Sequence, residues 1–454
     1  MSDVAITLNP LPASDDFSSA NFIRFQDLLR KEVEEASLLW LLRDGLFAAI
    51  FNDTRQIRRV ARSKDGLLLI PGGWILWLLL RVLHGHWKRS GKTLNQRKPA
   101  TAHFLFISPR SNHFKRIHPL MNEMAATMSC RGWIAGQQIL PLLQNRDAAA
   151  FSFICEYWTA WVKPADLWTA ARESRHLKKL LGPRMKRLQH ATSCIHIVSF
   201  LAWLRFWRHE FRASTPELLV ITYEKAPVAK AMFEAGREAG VPRRIHWAHS
   251  LRHGSLQATL ATELWCMTEL DVDYFRPLLP SGCQALYREN PESAELIRTI
   301  GMLDENSFAD TTPRRFLFLG SGKDVAYTRE QSEADMGVIR NALDAFGDKV
   351  EWRFRPHPGN VDGFRADLQA VGLGDVELSQ RPLNEDLAWA QGVGSTFSSV
   401  LVDVKPTGRK IFWVHDDIRT LYGVDELIRG GFGVHLDSSQ VIQRLSEALA
   451  IKQD

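Results

Sequence analysis

Arg315-Phe316-Leu317-Phe318-Leu319-Gly320-Ser321-Gly322-Lys323 is the stretch that decides the fold. Four consecutive apolar residues before a glycine turn read as a strand buried on both faces, the pattern of a parallel sheet covered by helices on each side. A helix over Arg329–Phe346 and a strand over 350–354 follow. Shorter α/β units continue through Val376-Glu377-Leu378, Gly392-Val393-Gly394 and Lys410-Ile411-Phe412-Trp413-Val414, and an amphipathic helix over 438–450 closes the chain. Strands alternating with helices predict a parallel, doubly wound sheet.

The same alternation occurs earlier. His103-Phe104-Leu105-Phe106-Ile107-Ser108 reads as a first buried strand and 114–128 as its helix. Residues 151–212 read as a helical insertion rich in tryptophan and arginine. Strands return at Leu218-Leu219-Val220-Ile221-Thr222 and Arg244-Ile245-His246-Trp247-Ala248, around a helix over 227–240 that Gly240 and Pro242 end. Leu264-Trp265-Cys266-Met267, Gln284-Ala285-Leu286-Tyr287 and Ile297-Arg298-Thr299-Ile300-Gly301 read as further short strands, and 304–313 as a linker. The expected fold class is therefore α/β, with two Rossmann-type doubly wound domains facing a cleft. The divisions are a helical extension over 1–98, a first domain over 99–303 carrying the insertion, and a second domain over 313–454.

A chain of 454 residues exceeds one ordinary core. Its 45% hydrophobic and 24% charged residues belong to a folded protein. A net charge of +6 suits an anionic substrate or membrane surface and is too small to argue for nucleic acid. The five cysteines, Cys130, Cys155, Cys194, Cys266 and Cys283, include no CxxC pair, which excludes a zinc knuckle of that type and fits a reducing compartment. Met-Ser-Asp-Val-Ala opens the chain without a basic and apolar leader, so a cytoplasmic location is expected.

The run 67–80 is apolar, contains Trp74 and Trp77, and is broken by Pro71-Gly72-Gly73. It is shorter than the roughly 20 residues of a spanning helix. Its basic flanks (Arg55, Arg58, Arg59, Arg62 and Lys64 before; Arg81, Lys88, Arg89 and Lys92 after) fit an interfacial helix on an anionic bilayer; a helix packed on the protein's own core fits the pattern too. The insertion poses the same choice between an anion-gripping surface and a helix with one packed and one solvated face.

Two strings carry the chemistry. Arg355-Pro356-His357-Pro358 ends a strand, where proline fixes the turn and the imidazole can donate to a phosphate oxygen. Gly394-Ser395-Thr396-Phe397-Ser398-Ser399 ends another strand, with four hydroxyl residues where backbone N–H groups and side chains can hold an anion. Gly320-Ser321-Gly322-Lys323 is a third candidate phosphate turn and lacks the Walker A spacing. In the first domain Glu224 and His249 follow two consecutive strands, so a carboxylate could orient an imidazole as general base; His246 and His253 are rivals for that role.

The HP turn followed by the GSTFSS turn resembles the HP and SS motifs of bacterial sialyltransferases and polysialyltransferases, of capsule and O-antigen Kdo transferases, and of teichoic-acid glycerophosphotransferases. The segment from Tyr223-Glu224 to His249-Ser250 is similar to a strand–helix–strand that ends in His-Gly in many of those enzymes, with Ser250 here in place of the glycine. The resemblance covers roughly 218–436 and implies a metal-independent GT-B glycosyltransferase with a nucleotide-sugar donor and no cofactor. It implies that His357 and Pro358 contact the donor phosphate, that Ser395, Thr396, Ser398 and Ser399 complete that site, and that His249, with Glu224, serves the acceptor. The function it points to is a transferase of bacterial surface polysaccharide assembly (capsule, O-antigen or lipopolysaccharide), using a CMP-linked acidic sugar (Kdo or sialic acid) and a glycan or lipid-linked acceptor at the inner face of the cytoplasmic membrane. Rival readings are a CDP-polyol phosphotransferase or UDP-sugar epimerase on the same scaffold, and a non-catalytic membrane-bound assembly partner. The one DxD triplet, Asp271-Val272-Asp273, opens a helix outside the motif region and is not read as a metal site.

Overall fold

The computed structural model describes residues 25, 27, 29–34, 37–43, 46, 74–76, 78–79, 100–107, 111–135, 151–153, 157–182, 187–224, 226–248, 260–303, 313–321, 329–396, 398–416 and 424–451. The chain forms two compact units: 1–249 with 254–265 and 278–285, and 266–277 with 286–454 and 250–253. Two parallel α/β sheets underlie them, as the alternating pattern predicts.

The seven-stranded sheet contains β1 (Ala102–Phe106), β2 (Cys130–Ile134), β3 (Phe151–Phe153), β4 (Leu218–Ile221), β5 (Arg243–Trp247), β6 (Glu263–Cys266) and β7 (Gln284–Tyr287), in the order β3-β2-β1-β4-β5-β6-β7. β1 to β6 pair in parallel. The Gln284 and Arg288 N–H groups donate to the Thr262 and Cys266 carbonyls and add β7. The chain turns from β3 back past β1 to β4, so the switch point lies between β1 and β4.

The segment 151–212 is not wholly helical: it opens with β3 on the sheet edge. Its helices are Pro164–Leu181 and Arg187–Ala213. The second packs on the sheet through aromatic rings. Trp207 and Phe206 meet Trp133 of β2 edge to face, at 5.1 and 5.7 Å, and Trp207 Nε1 donates to the Val228 carbonyl at 2.9 Å. Trp203 and Trp207 are therefore core residues, bound by area burial and ring geometry.

Two histidines enter this core uncharged. His103 accepts the Trp133 indole N–H at Nδ1, 3.1 Å away, and burial with Arg131 nearby pushes its pKa down to about 3. Burial and the charge of Lys230 push His196 down to about 4. Both folded-state values lie below 6.5, so the unfolded chain takes up protons first, and stability falls as pH drops below 6.5. Each histidine contributes a slope of about 1.4 kcal/mol per pH unit in that window. His103→Asn, which keeps an acceptor for Trp133, should flatten the pH dependence of urea unfolding, removing about 2 kcal/mol of the loss between pH 6.5 and 5. An unchanged slope would contradict the buried neutral imidazole.

The five-stranded sheet contains β8 (Arg314–Leu319), β9 (Val350–Arg355), β10 (Gly392–Ser395), β11 (Lys410–Val414) and β12 (Val434–Leu436), in the order β12-β11-β10-β8-β9. Alternation along β8 divides its core. Phe316 and Phe318 face one layer with Ile339, Phe354 and Leu445, while Leu317 and Leu319 face the other with Val393, Leu401 and Trp413. Two apolar faces explain why 316–319 reads as one unbroken hydrophobic run.

Ile297 to Ile300 do not form the expected strand. They end the helix Pro291–Ile300, whose Leu296 and Ile300 pack against the second layer. Proline at the first position and apolar residues four apart make a helix there; the short β-branched run is overridden by packing. Val376-Glu377-Leu378 reduces to a single bridge between Leu378 and Phe354. The proposed linker 304–313 lies outside the described residues except for its last position.

Candidate functional site

The carboxyl ends of β8, β9 and β10 bring the predicted turns together. Register aligns Leu319 with Ser395 on one side and with Arg355 on the other, so the three strands end level. The chain runs from β8 out to β9 and returns to β10 on the opposite side of β8. This is a topological switch point, where parallel sheets open a crevice for ligands. Thr396, Gly320-Ser321 and Pro356-His357 emerge there side by side, although roughly 75 residues separate the first two in sequence.

Hydrogen bonds tie the turns to one another. The Ser321 and Thr396 hydroxyls meet at 2.5 Å. The Gly320 N–H donates to the Arg355 carbonyl at 2.8 Å. The Asn360 amide donates to the Ser321 carbonyl at 3.2 Å, and its backbone N–H closes the turn by donating to the His357 carbonyl at 2.8 Å. Pro358 and Gly359 form that turn, and the Gly359 N–H donates to His357 Nδ1 at 3.0 Å. With Nδ1 accepting, the neutral ring carries its proton on Nε2, which makes that nitrogen a donor. His357 is exposed and Thr396 buried, so the crevice has one solvent-facing imidazole and an inner pair of hydroxyls.

Other predicted residues take different work. Ser395 lies within β10, wholly buried, and its hydroxyl donates to the Leu319 carbonyl at 2.8 Å. Ser398 accepts the Val400 N–H at Oγ, and Ser399 precedes the five-residue helix Val400–Val404 without a side-chain cap. Arg355 donates to Asp386 at 2.8 Å and to the Arg381 carbonyl. Asp386, buried in the helix Leu383–Trp389, also accepts from Ser379 at 2.7 Å and lies 3.5 Å from Arg353, whose guanidinium sits 3.8 Å above the Trp389 ring. The charge of Arg355 is thus matched inside the protein.

The glycines of the motifs serve rings. A Cβ on Gly320 would lie 2.8 Å from Phe364, one on Gly394 2.7 Å from Phe316, and one on Gly392 2.9 Å from Phe412. Close approach of backbone is required here, as the motif suggests, but by the protein's own aromatic core. Gly322, Lys323 and Phe397 lie outside the described residues.

In the first unit Glu224 follows β4 and is buried with Lys230 and His246, each 1% exposed. Lys230 Nζ lies 2.9 Å from Glu224 Oε1, which also accepts the Leu260 N–H at 3.1 Å, and His246 Nδ1 lies 3.5 Å from Oε2. Burial pushes the Glu224 carboxyl up, and Lys230 with His246 more than offset it, leaving a pKa of about 2. His249 and His253 lie outside the described residues, so the imidazole shown beside Glu224 is the rival His246.

Sequence reasoning overlooked Asn360, Asp386 and Lys230. Asn360 stands two residues beyond the HP turn and has a local signal as a turn-closing side chain. Asp386 and Lys230 had none: a lone carboxylate and a lone lysine on helices read as solvated. Among the described residues no cluster of three histidine, cysteine or acidic side chains could hold a metal ion, and no helix is long and apolar enough to cross a membrane.

No protein-family profile matches the chain, and no curated protein is similar to it in sequence. Solved structures are similar in fold. The UDP-GlcNAc 2-epimerase of Neisseria meningitidis, bound to UDP-GlcNAc, shares 10% identity with a TM-score of 0.47, over 77% of this chain and 91% of that one. The UDP-forming trehalose-phosphate synthase of Burkholderia vietnamiensis shares 11% with a TM-score of 0.40, over 77% and 92%. The wall teichoic acid polymerase TagF shares 10% with a TM-score of 0.38, over 88% and 90%.

Proposed function

We propose that the chain is a metal-independent GT-B glycosyltransferase of bacterial surface polysaccharide assembly, whose nucleotide-sugar donor binds at the ends of β8, β9 and β10. The observation that carries this reading is the convergence of the HP, Gly320-Ser321 and serine-rich turns at one switch point, where the Asn360 amide donates to the Ser321 carbonyl at 3.2 Å and the Ser321 and Thr396 hydroxyls are 2.5 Å apart. Hydroxyls and an imidazole N–H fixed before the reaction can stabilise charge on a departing nucleotide phosphate without reorganising. The donor is a CMP-linked acidic sugar, Kdo or sialic acid, and the acceptor a glycan or lipid-linked glycan at the inner face of the cytoplasmic membrane. Glu224 and His249 are proposed to serve the acceptor side. Glu224 does so as a positioning residue, because Lys230 holds its carboxylate inside the unit.

Titration with CMP, CDP, UMP and UDP in the absence of metal tests the reading. Selective CMP binding is expected, weakened roughly 10- to 100-fold by His357→Ala and by Thr396→Val, the scale of one or two hydrogen bonds to a charged group. A preference for CDP or UDP would redirect the donor to a polyol phosphate or a UDP-sugar. Absence of binding to all four would overturn the enzymatic assignment of this crevice.

A further inference from the structure

The helix Pro164–Leu181 has two stripes with the same spacing. Ala170, Ser174, Leu177 and Leu181 are buried. Trp168, Arg172, Arg175 and Lys179, at positions i, i+4, i+7 and i+11, form the opposite stripe and face solvent. Trp168 is 68% exposed, far more than a tryptophan whose ring belongs to a core. Of the three cations, Arg172 has a carboxylate within reach, Glu173 at 2.7 Å. These side chains, with His176, border a recess of about 360 Å³.

The same unit shows a second apolar surface at 74–76 and 78–79. Trp74 and Leu78 point inward at 6% and 1% exposure, while Ile75, Leu76 and Leu79 are 38%, 49% and 47% exposed. A helix turn apolar on its inner face needs nothing more from the core. Its outer face gains only from a non-aqueous neighbour. The sequence around it is basic, with five Arg or Lys residues in 55–64. Exposed aliphatic side chains and an aromatic–basic stripe on the same unit match the headgroup boundary of an anionic bilayer, which accepts carbon below and cations above. A nucleic acid would use the cations and leave the aliphatic side chains in water.

We propose that the first unit docks on an anionic membrane through Trp168, Arg172, Arg175 and Lys179 together with Ile75, Leu76 and Leu79. This names the surface for the membrane association in the proposed function and rests on that reading for its biological setting. Its physical test is independent of the nucleotide site.

The full chain should float with phosphatidylcholine vesicles that contain phosphatidylglycerol and stay unbound with phosphatidylcholine alone. Arg172→Gln, Arg175→Gln and Lys179→Gln together should weaken binding about 100-fold, near fivefold for each basic residue taken from an anionic surface. Leu76→Ser with Leu79→Ser should weaken it at least about tenfold through lost burial of apolar area. All five positions are exposed, and circular dichroism with unchanged nucleotide affinity would show that the variants fold. Failure of the wild type to bind the anionic vesicles, equal binding to neutral ones, or wild-type binding by either variant would overturn the proposal. So would tight binding to heparin or RNA without vesicle binding, which would make the stripe a site for soluble polyanions. Vesicle binding by a chain that binds no nucleotide would overturn the donor site and leave this surface standing.

Discussion

Lys230→Met should lower the stability of the chain by about 3–5 kcal/mol at neutral pH, the cost of leaving a buried charge without its partner. Glu224 and Lys230 are each 1% exposed, and their charged atoms are 2.9 Å apart. Methionine keeps the length of the side chain and removes the ammonium group, so the loss reports charge rather than packing. The Leu260 N–H and His246 then face a carboxylate that burial drives to take up a proton. The pH dependence follows with its sign. Glu224 has a folded-state pKa of about 2 against 4.5, so its contribution is complete above 4.5 and disappears as pH falls toward 2. In Lys230→Met the sign reverses: without the cation, burial holds the carboxyl above 4.5, so the loss is greatest at neutral pH and shrinks as pH falls. Glu224→Gln added to Lys230→Met should recover most of the loss, since removing both partners of a buried pair is far less costly than removing one. Urea unfolding of the four proteins in this cycle measures it, and a single-mutant loss under about 1 kcal/mol would rule out a buried ion pair.

Asp386→Ala is expected to cost a similar amount, about 3–5 kcal/mol. The carboxylate is fully buried and joins the Arg353 and Arg355 guanidinium groups to the Ser379 hydroxyl. Alanine leaves two partly buried cations, 19% and 20% exposed, without their counter-charge at the edge of the switch point. Asp386→Asn keeps the shape and an acceptor for Ser379, so about half of the loss should return. The two variants also separate structure from binding. If Asp386 only braces the end of β9, both lose stability while metal-free nucleotide affinity per folded molecule stays near wild type. If releasing Arg355 frees a cation for the phosphate, affinity rises in Asp386→Asn. Loss of under about 1 kcal/mol in Asp386→Ala would show that solvent screens the cluster.

Both effects arise from side chains whose partners are distant in sequence. Asp386 stands 31 residues from Arg355, and Leu260 stands 36 from Glu224. A lysine in the apolar stretch Val228 to Phe233 gives no local sign that it is enclosed, because long charged side chains usually reach water from such positions.

The sequence by itself determined the class of the fold and marked the turns of the candidate site. Unbroken apolar runs such as 316–319 demand cover on both faces, and helix-period segments between them impose parallel strands. Proline and glycine at strand ends marked the turns that meet at β8, β9 and β10, since their backbone effects are local. The short strands β2, β3 and β12 escaped that reading, because three to five residues carry too little periodicity. Only the tertiary structure decided what each residue of the motifs packs against. Ser395 is consumed by the Leu319 carbonyl, Arg355 by Asp386, and Gly320, Gly392 and Gly394 by aromatic rings, while Ser321, Thr396 and His357 stand at the crevice. The reason is physical. Whether a hydroxyl, a guanidinium or a bare Cα faces ligand or core depends on what packs against it, and packing is set by strand register across the whole sheet.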